Sequence, residues 1–194
     1  MAAFKHPTLN PQMKRHLLSI ALAAAALIFV VTHFIWLADL PQKLATHFDG
    51  SGKANGWMTR QQHGALMLIF GLAIPGFILG LIWLMRMLPS NLLNVPNPEF
   101  WRAPENYPKA CAIMLTWAQW LALGELIWMT LLNRQIVLAN QIKPPHLAMS
   151  ETWCLAAGFV LMIGVSILWL MWRFRKTDEP SSAGLVHPPI VEES

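Results

Sequence analysis

The chain has 194 residues, 55% apolar and 12% charged, a charged share about half the ~25% of ordinary globular domains. Ten tryptophans suit a bilayer interface better than a soluble core. The formal net charge is +4, but no basic helix or stripe with interleaved aromatics accompanies it, so nucleic acid is not an expected partner.

In chain order, residues 1–16 form an N-terminal segment in which Lys14, Arg15 and His16 precede an Ala/Leu-rich run. That run continues to Leu37, beyond the ~7–15 residues of a signal-peptide core, and no small-x-small cleavage site follows it. It is expected to be an uncleaved anchor, and neither end carries a lipidation motif. Four apolar stretches, at 17–37, 65–83, 110–132 and 153–172, each approach the ~20 residues that cross a bilayer. They predict an all-α integral membrane four-helix bundle over 17–174, with the lipid bilayer as its solvent. Residues 175–194, rich in Pro and Ser, are expected to be a disordered cytoplasmic tail.

The loop between the first two spans is the richest local signal. Leu44, Thr46 and Phe48 alternate with Ala45 and His47, the period of a short strand. Asp49-Gly50-Ser51-Gly52 predicts a tight turn, and Asn55-Gly56 predicts a second. The expectation is a compact hairpin-like cap with Phe48 or Trp57 dipping towards the interface. Gly52-Lys53 lacks the spacing of a phosphate loop.

Pro75-Gly76 interrupts the second span and predicts a kink. In the middle loop, Asn97 followed by Pro98 reads as the cap and first residue of a short helix. Phe100 and Trp101 are then expected in the headgroup layer, before Pro104 and Glu105. Cys111 and Cys154 open the third and fourth spans at opposite ends. They are expected to lie about a bilayer thickness apart, beyond disulfide reach, as packing residues.

Orientation follows from the cations near the span ends. Lys5, Lys14, Arg15, Arg86, Arg102, Lys109, Arg173, Arg175 and Lys176 make nine on one side; Lys43, Lys53, Arg60, Arg134 and Lys143 make five on the other. Both termini are therefore expected in the cytoplasm and the hairpin outside.

Leu40-Pro41, His47-Phe48, Gly52, Asn55-Gly56-Trp57 and Thr59-Arg60 reproduce the pattern L-P-x5-H-[FW]-x3-G-x2-[DN]-G-[WY]-x-[ST]-[KR]. This resembles the bacterial membrane domain of unknown function 1648, found at the N-terminus of SdpI-type immunity and signalling membrane proteins. Asn97 to Glu105 is similar to a second pattern of those proteins, with Pro98 where Lys is usual and Asn106 where Arg is usual. The resemblance extends over roughly 17–132. It implies a binding loop formed by Pro41, His47, Phe48, Gly52, Asn55, Gly56 and Trp57. It also implies a cytoplasmic aromatic loop with Phe100, Trp101, Pro104 and Glu105, a location in the bacterial inner membrane, and no catalytic residues.

Glu125 is the acidic residue deepest in a span, and such a residue is a functional hypothesis by default. His33, at similar depth in the first span, is its expected partner, as a proton-responsive or ligand-contacting pair. A neutral Glu bonded to a neighbouring helix is the alternative. Thr116 lies half a turn out of phase with Glu125, so the two build no single polar stripe. His33, Asp39, His47, Asp49 and His63 share one side, but their spacing forms no metal motif; neither metal nor cofactor is expected. For His47 the alternative is a hydrogen bond that locks the hairpin. No nucleophile, base and orienting group can be assembled, so a non-enzymatic role is expected. That role is immunity, signalling or binding of a peptide, toxin or membrane-protein partner. The alternatives are a small transporter or channel and an assembly subunit of a larger complex. The sequence does not set the oligomeric state.

Overall fold

The computed structural model describes residues 10–177; Lys5 and the Pro/Ser-rich tail beyond Thr177 lie outside the described residues. Helix α1 (Pro11–Asp39) leads into strands β1 (Lys43–Phe48) and β2 (Ala54–Thr59). The second membrane helix is composite: α2 (Arg60–Leu68), a π-helical turn (Ile69–Ala73) and α3 (Ile74–Leu84). A short α4 (Pro98–Arg102) precedes the long α5 (Tyr107–Gln141) and α6 (Met149–Arg175). Among the described residues, four helices are long and apolar enough to cross a membrane, which gives the expected all-α membrane bundle.

The interruption in the second helix has a chemical cause. Pro75 has no N–H to return to the carbonyl of Gly71. The backbone widens one turn earlier, with Ile74 N–H bonding to Ile69 O, an i→i+5 step that re-satisfies carbonyls within the apolar segment. The distortion thus falls before the Pro-Gly pair, on Gly71. There α1 comes close: a Cβ on Gly71 would overlap the Phe29 ring, and one on Gly64 would stand 2.8 Å from a Leu37 methyl. Phe29, His33 and Leu37 are spaced i, i+4, i+8 and so line one face of α1. Small residues on one helix facing bulky ones on another let membrane helices pack without a hydrophobic driving force between them.

Helix α5 is the central post. Its 35 residues reach about 52 Å at 1.5 Å per residue, well beyond the ~30 Å core. The third apolar run therefore continues as helix past its expected end, through a mixed stretch from Asn133 to Gln141 that holds Asn133, Arg134, Gln135, Asn140 and Gln141. Ile136 and Val137 in this extension are buried with Phe29, Leu40, Leu44 and Met67 in the core at the hairpin end. Two indoles attach α6 to α5: Trp117 Nε1 donates to Ser166 O at 3.1 Å and Trp128 Nε1 donates to Leu155 O at 3.2 Å. Trp128 also stacks on Phe159 at 4.2 Å.

At the opposite end, α4 starts as expected, with Asn97 as its cap residue and Pro98 as its first residue. Asn97 precedes α4 with left-handed backbone (φ 54°) and no side-chain cap; its Nδ2 instead donates to Arg175 O at 2.9 Å. Trp101 is enclosed by protein at this end of the bundle. It is 2% exposed, packs edge-on against Phe174 at 5.1 Å and donates Nε1–H to Phe174 O at 2.8 Å. Both side chains satisfy carbonyls that the end of α6 leaves free, so the middle loop ties down the last helix. Phe100 is half-buried, while Pro104 and Glu105 remain exposed. Cys111 is buried, Cys154 exposed, and both are free thiols.

Candidate functional site: the hairpin cap and the buried polar triad

An isolated two-stranded hairpin is marginal in water, and this one is braced from three sides. Its tip is an Asp49-centred turn. The carboxylate Oδ1 accepts from Ser51 N (2.8 Å), Ser51 Oγ (2.7 Å) and Lys53 N (3.0 Å), while Gly52 takes φ 88°, which glycine adopts without strain. Those hydrogen bonds, led by the Ser51 hydroxyl, hold the Asp49 carboxyl below its ordinary range. The free edge of β1 meets the top of α5. Asn140 accepts from Ala45 N and donates to Ala45 O, both at 2.8 Å, pairing a backbone edge that would otherwise be open. The tip meets the α5–α6 loop through Leu147 N donating to Gly52 O at 2.9 Å. At the base, Thr59 and Gln62 form a capping box at the start of α2. Arg60 Nη1 donates to Ala38 O and Leu40 O (3.2 and 3.1 Å), closing the end of α1.

Asn55-Gly56 is not the second turn expected of it. Both residues lie inside β2, with Gly56 opposite His47. A Cβ on Gly56 would stand 2.8 Å from the His47 Cβ, so this glycine makes room for the imidazole across the strands. Simple alternation also fails: Leu44 and Ala45 are both fully buried, Ala45 on the edge that pairs with Asn140 of α5, and the ladder is irregular beyond it, between Ala45, His47 and Phe48. The motif residues therefore divide. Leu40, Gly52, Gly56, Thr59 and Arg60 build the cap. Pro41, His47, Asn55 and Trp57 are exposed on it, and Phe48 is half-buried. Trp57 keeps 46% of its surface open. His47 Nδ1 has one polar neighbour, Thr46 Oγ1 at 3.2 Å.

At the same end of the bundle lies a polar cluster between three helices. His33 (α1), His63 (α2) and Asn133 (α5) are each no more than 2% exposed. His63 Nε2 is 3.0 Å from Asn133 Oδ1, and Asn133 Nδ2 is 3.4 Å from His33 Nδ1. With the amide so oriented, His63 donates from Nε2, and His33 receives at Nδ1 and carries its proton on Nε2. That Nε2 is buried without a partner. Phe29 stacks beside the His33 ring and Phe34 meets it edge-on.

Glu125 does not join this cluster. It lies eight residues before Asn133 along α5, about 12 Å along the axis, and among the described residues it makes no hydrogen bond or ion pair. The polar group that α5 offers at the depth of His33 is Asn133. Reading the third span as ending at 132 placed that residue outside the bundle, and an uncharged amide carries no sequence signal of its own. Among the described residues, no three His, Cys, Asp or Glu side chains gather as a metal-binding group.

The fold defines a multi-pass membrane protein with a small braced cap. Residues 21–73 match the model of a domain of unknown function, DUF1648, the same domain that the loop motif resembles. The matched stretch runs from α1 through the hairpin and α2 to the last residue of the π-helical turn. It holds His33 and His63 but not Asn133. No curated protein and no solved structure matches the chain.

Proposed function

We propose that the chain is a non-enzymatic binding protein of the bacterial inner membrane, which presents its hairpin to a peptide, toxin or membrane-protein partner on the outer side. Immunity or signalling of the SdpI type is the physiological form of this role. The observation that carries it is the division of labour in the cap. Five motif residues are spent on holding a rigid platform, and four more stand exposed on it. A large aromatic held in place at the surface binds at low entropic cost, which makes Trp57 the natural anchor. The imidazole of His47 offers a polar contact on the same hairpin.

The test compares Trp57→Ala and His47→Ala with the wild type in partner capture by crosslinking and in sensitivity to secreted toxin. Loss of capture, with unchanged melting of the purified protein, is expected. Capture and sensitivity equal to wild type in both variants would reject the reading. A second reading, proton-linked transport, draws on the buried His33–Asn133–His63 cluster, since ionisable groups inside a bundle mark ion pathways. Proton flux in liposomes carrying a pH-sensitive dye, abolished by His33→Leu, would favour it over the first.

A further inference from the structure

The lipid-facing side of α5 carries two grooves that share residues. One, of about 660 Å³, lies between α5 and α6 and is floored by Thr116, Trp120 and Gly124. The other, of about 450 Å³, lies between α1 and α5 and is lined by Leu17, Ala21, Thr116 and Trp120, with Arg15 at its end. Both exceed the ~300 Å³ at which small-molecule sites begin. Their linings are overwhelmingly apolar, and Trp120, 60% exposed, stands where they meet. We infer that together they form a binding site for one anionic glycerophospholipid of the surrounding bilayer, with its phosphate on Arg15 and its acyl chains along α5 on either side of Trp120.

Length and charge select this occupant. From Thr116 to Ile127 the floor of the groove between α5 and α6 runs eleven residues, about 16 Å, which is one leaflet of a ~30 Å core. Arg15 is exposed near the start of α1, where a headgroup belongs, and its guanidinium presents the donor fork that matches phosphate oxygens. One turn further in, Gln119 Nε2 donates to Ser19 Oγ at 3.1 Å. This exposed polar pair between the same two helices is placed for the ester region below the phosphate. Basic pockets between membrane helices select anionic headgroups in this way. The site lies at the opposite end of the bundle from the hairpin and does not depend on the role proposed for it.

Native mass spectrometry of the full chain, in detergent with equal phosphatidylglycerol and phosphatidylcholine, tests the site. The wild type is expected to retain phosphatidylglycerol about fivefold over phosphatidylcholine, the effect of one cation at a membrane surface. Arg15→Gln should bring that ratio to about one. Trp120→Ala should reduce retention of both lipids. Arg86→Gln, a cation at the same end but outside both grooves, should leave the ratio unchanged. Equal retention of the two lipids by wild type overturns the inference. So does an unchanged ratio in Arg15→Gln, or an equal loss in Arg86→Gln, which would mark diffuse attraction to the whole basic face.

Discussion

Asn133 joins two imidazoles that sit on different helices, so its side chain acts on all three at once. Replacing it with Leu leaves one nitrogen of each histidine without a partner in a buried site. Such an orphan costs about 1–3 kcal/mol. Asn133→Leu should therefore lower the melting temperature of the detergent-solubilised protein by several degrees. Changing all three residues to Leu removes the polar groups together and should recover much of the loss. A single substitution that melts like wild type would show that the cluster is not satisfied as described. Asp49 makes a different prediction, because its partners are local and exposed. Its folded pKa is depressed, chiefly by the Ser51 hydroxyl. The carboxylate's contribution to the turn is thus fully present above the unfolded value of ~3.9 and is lost as pH falls through the lower folded value. An NMR titration of the Asp49 carboxyl should give a midpoint below that of free Asp, and loss of the Ser51 and Lys53 amide shifts should follow the same curve. A midpoint at or above the free value contradicts the hydrogen-bonded turn.

The second membrane helix shows how one residue type carries different weight along one element. Gly71 and Gly76 are both glycines in an apolar helix, five residues apart. A side chain at Gly71 overlaps Phe29, which is wholly buried, whereas a Cβ at Gly76 meets nothing within 4 Å. Gly71→Val should therefore cost about 1–3 kcal/mol, the usual range for overpacking. Gly76→Ala should be neutral or slightly stabilising, since alanine is the better helix former. Equal melting of the two variants would remove the close α1 contact from the account. This contrast also marks what the sequence makes legible. The four helices follow from apolar length, and the hairpin from its Asp49 turn, because both signals are local. The π-helical turn falls before its proline because the missing donor acts four residues back. Trp101 looked interfacial by composition but is buried, because its place is set by Phe174, 73 residues away. Asn140 reads as loop because nothing in its neighbourhood reveals that Ala45 will need it.

At the scale of the whole molecule, the charge at the two ends of the bundle bears on which face the hairpin occupies. The helices alone are indifferent to inversion; the cations are not. Among the described residues, Arg15, Arg86, Arg102, Lys109, Arg173, Arg175 and Lys176 lie towards one end of the bundle, and Lys43, Lys53, Arg60, Arg134 and Lys143 towards the other. The bias is modest, and the hairpin end also carries Asp39, Asp49 and Glu151. Acidic residues contribute little to orientation, so the expectation rests on the cations, and it is a hairpin facing outwards. Exposed sites on the two ends make this measurable. In a background of Cys111→Ala and Cys154→Ala, Asn55→Cys on the hairpin should react with a membrane-impermeant maleimide in intact spheroplasts. Glu105→Cys, beside α4, should react only after permeabilisation. The reverse pattern would turn the molecule over. It would leave the bundle, the braced cap and the lipid grooves as described, because none of these depends on direction. The proposed encounter with a partner outside the cell would lose its basis, since the platform would then face the cytoplasm.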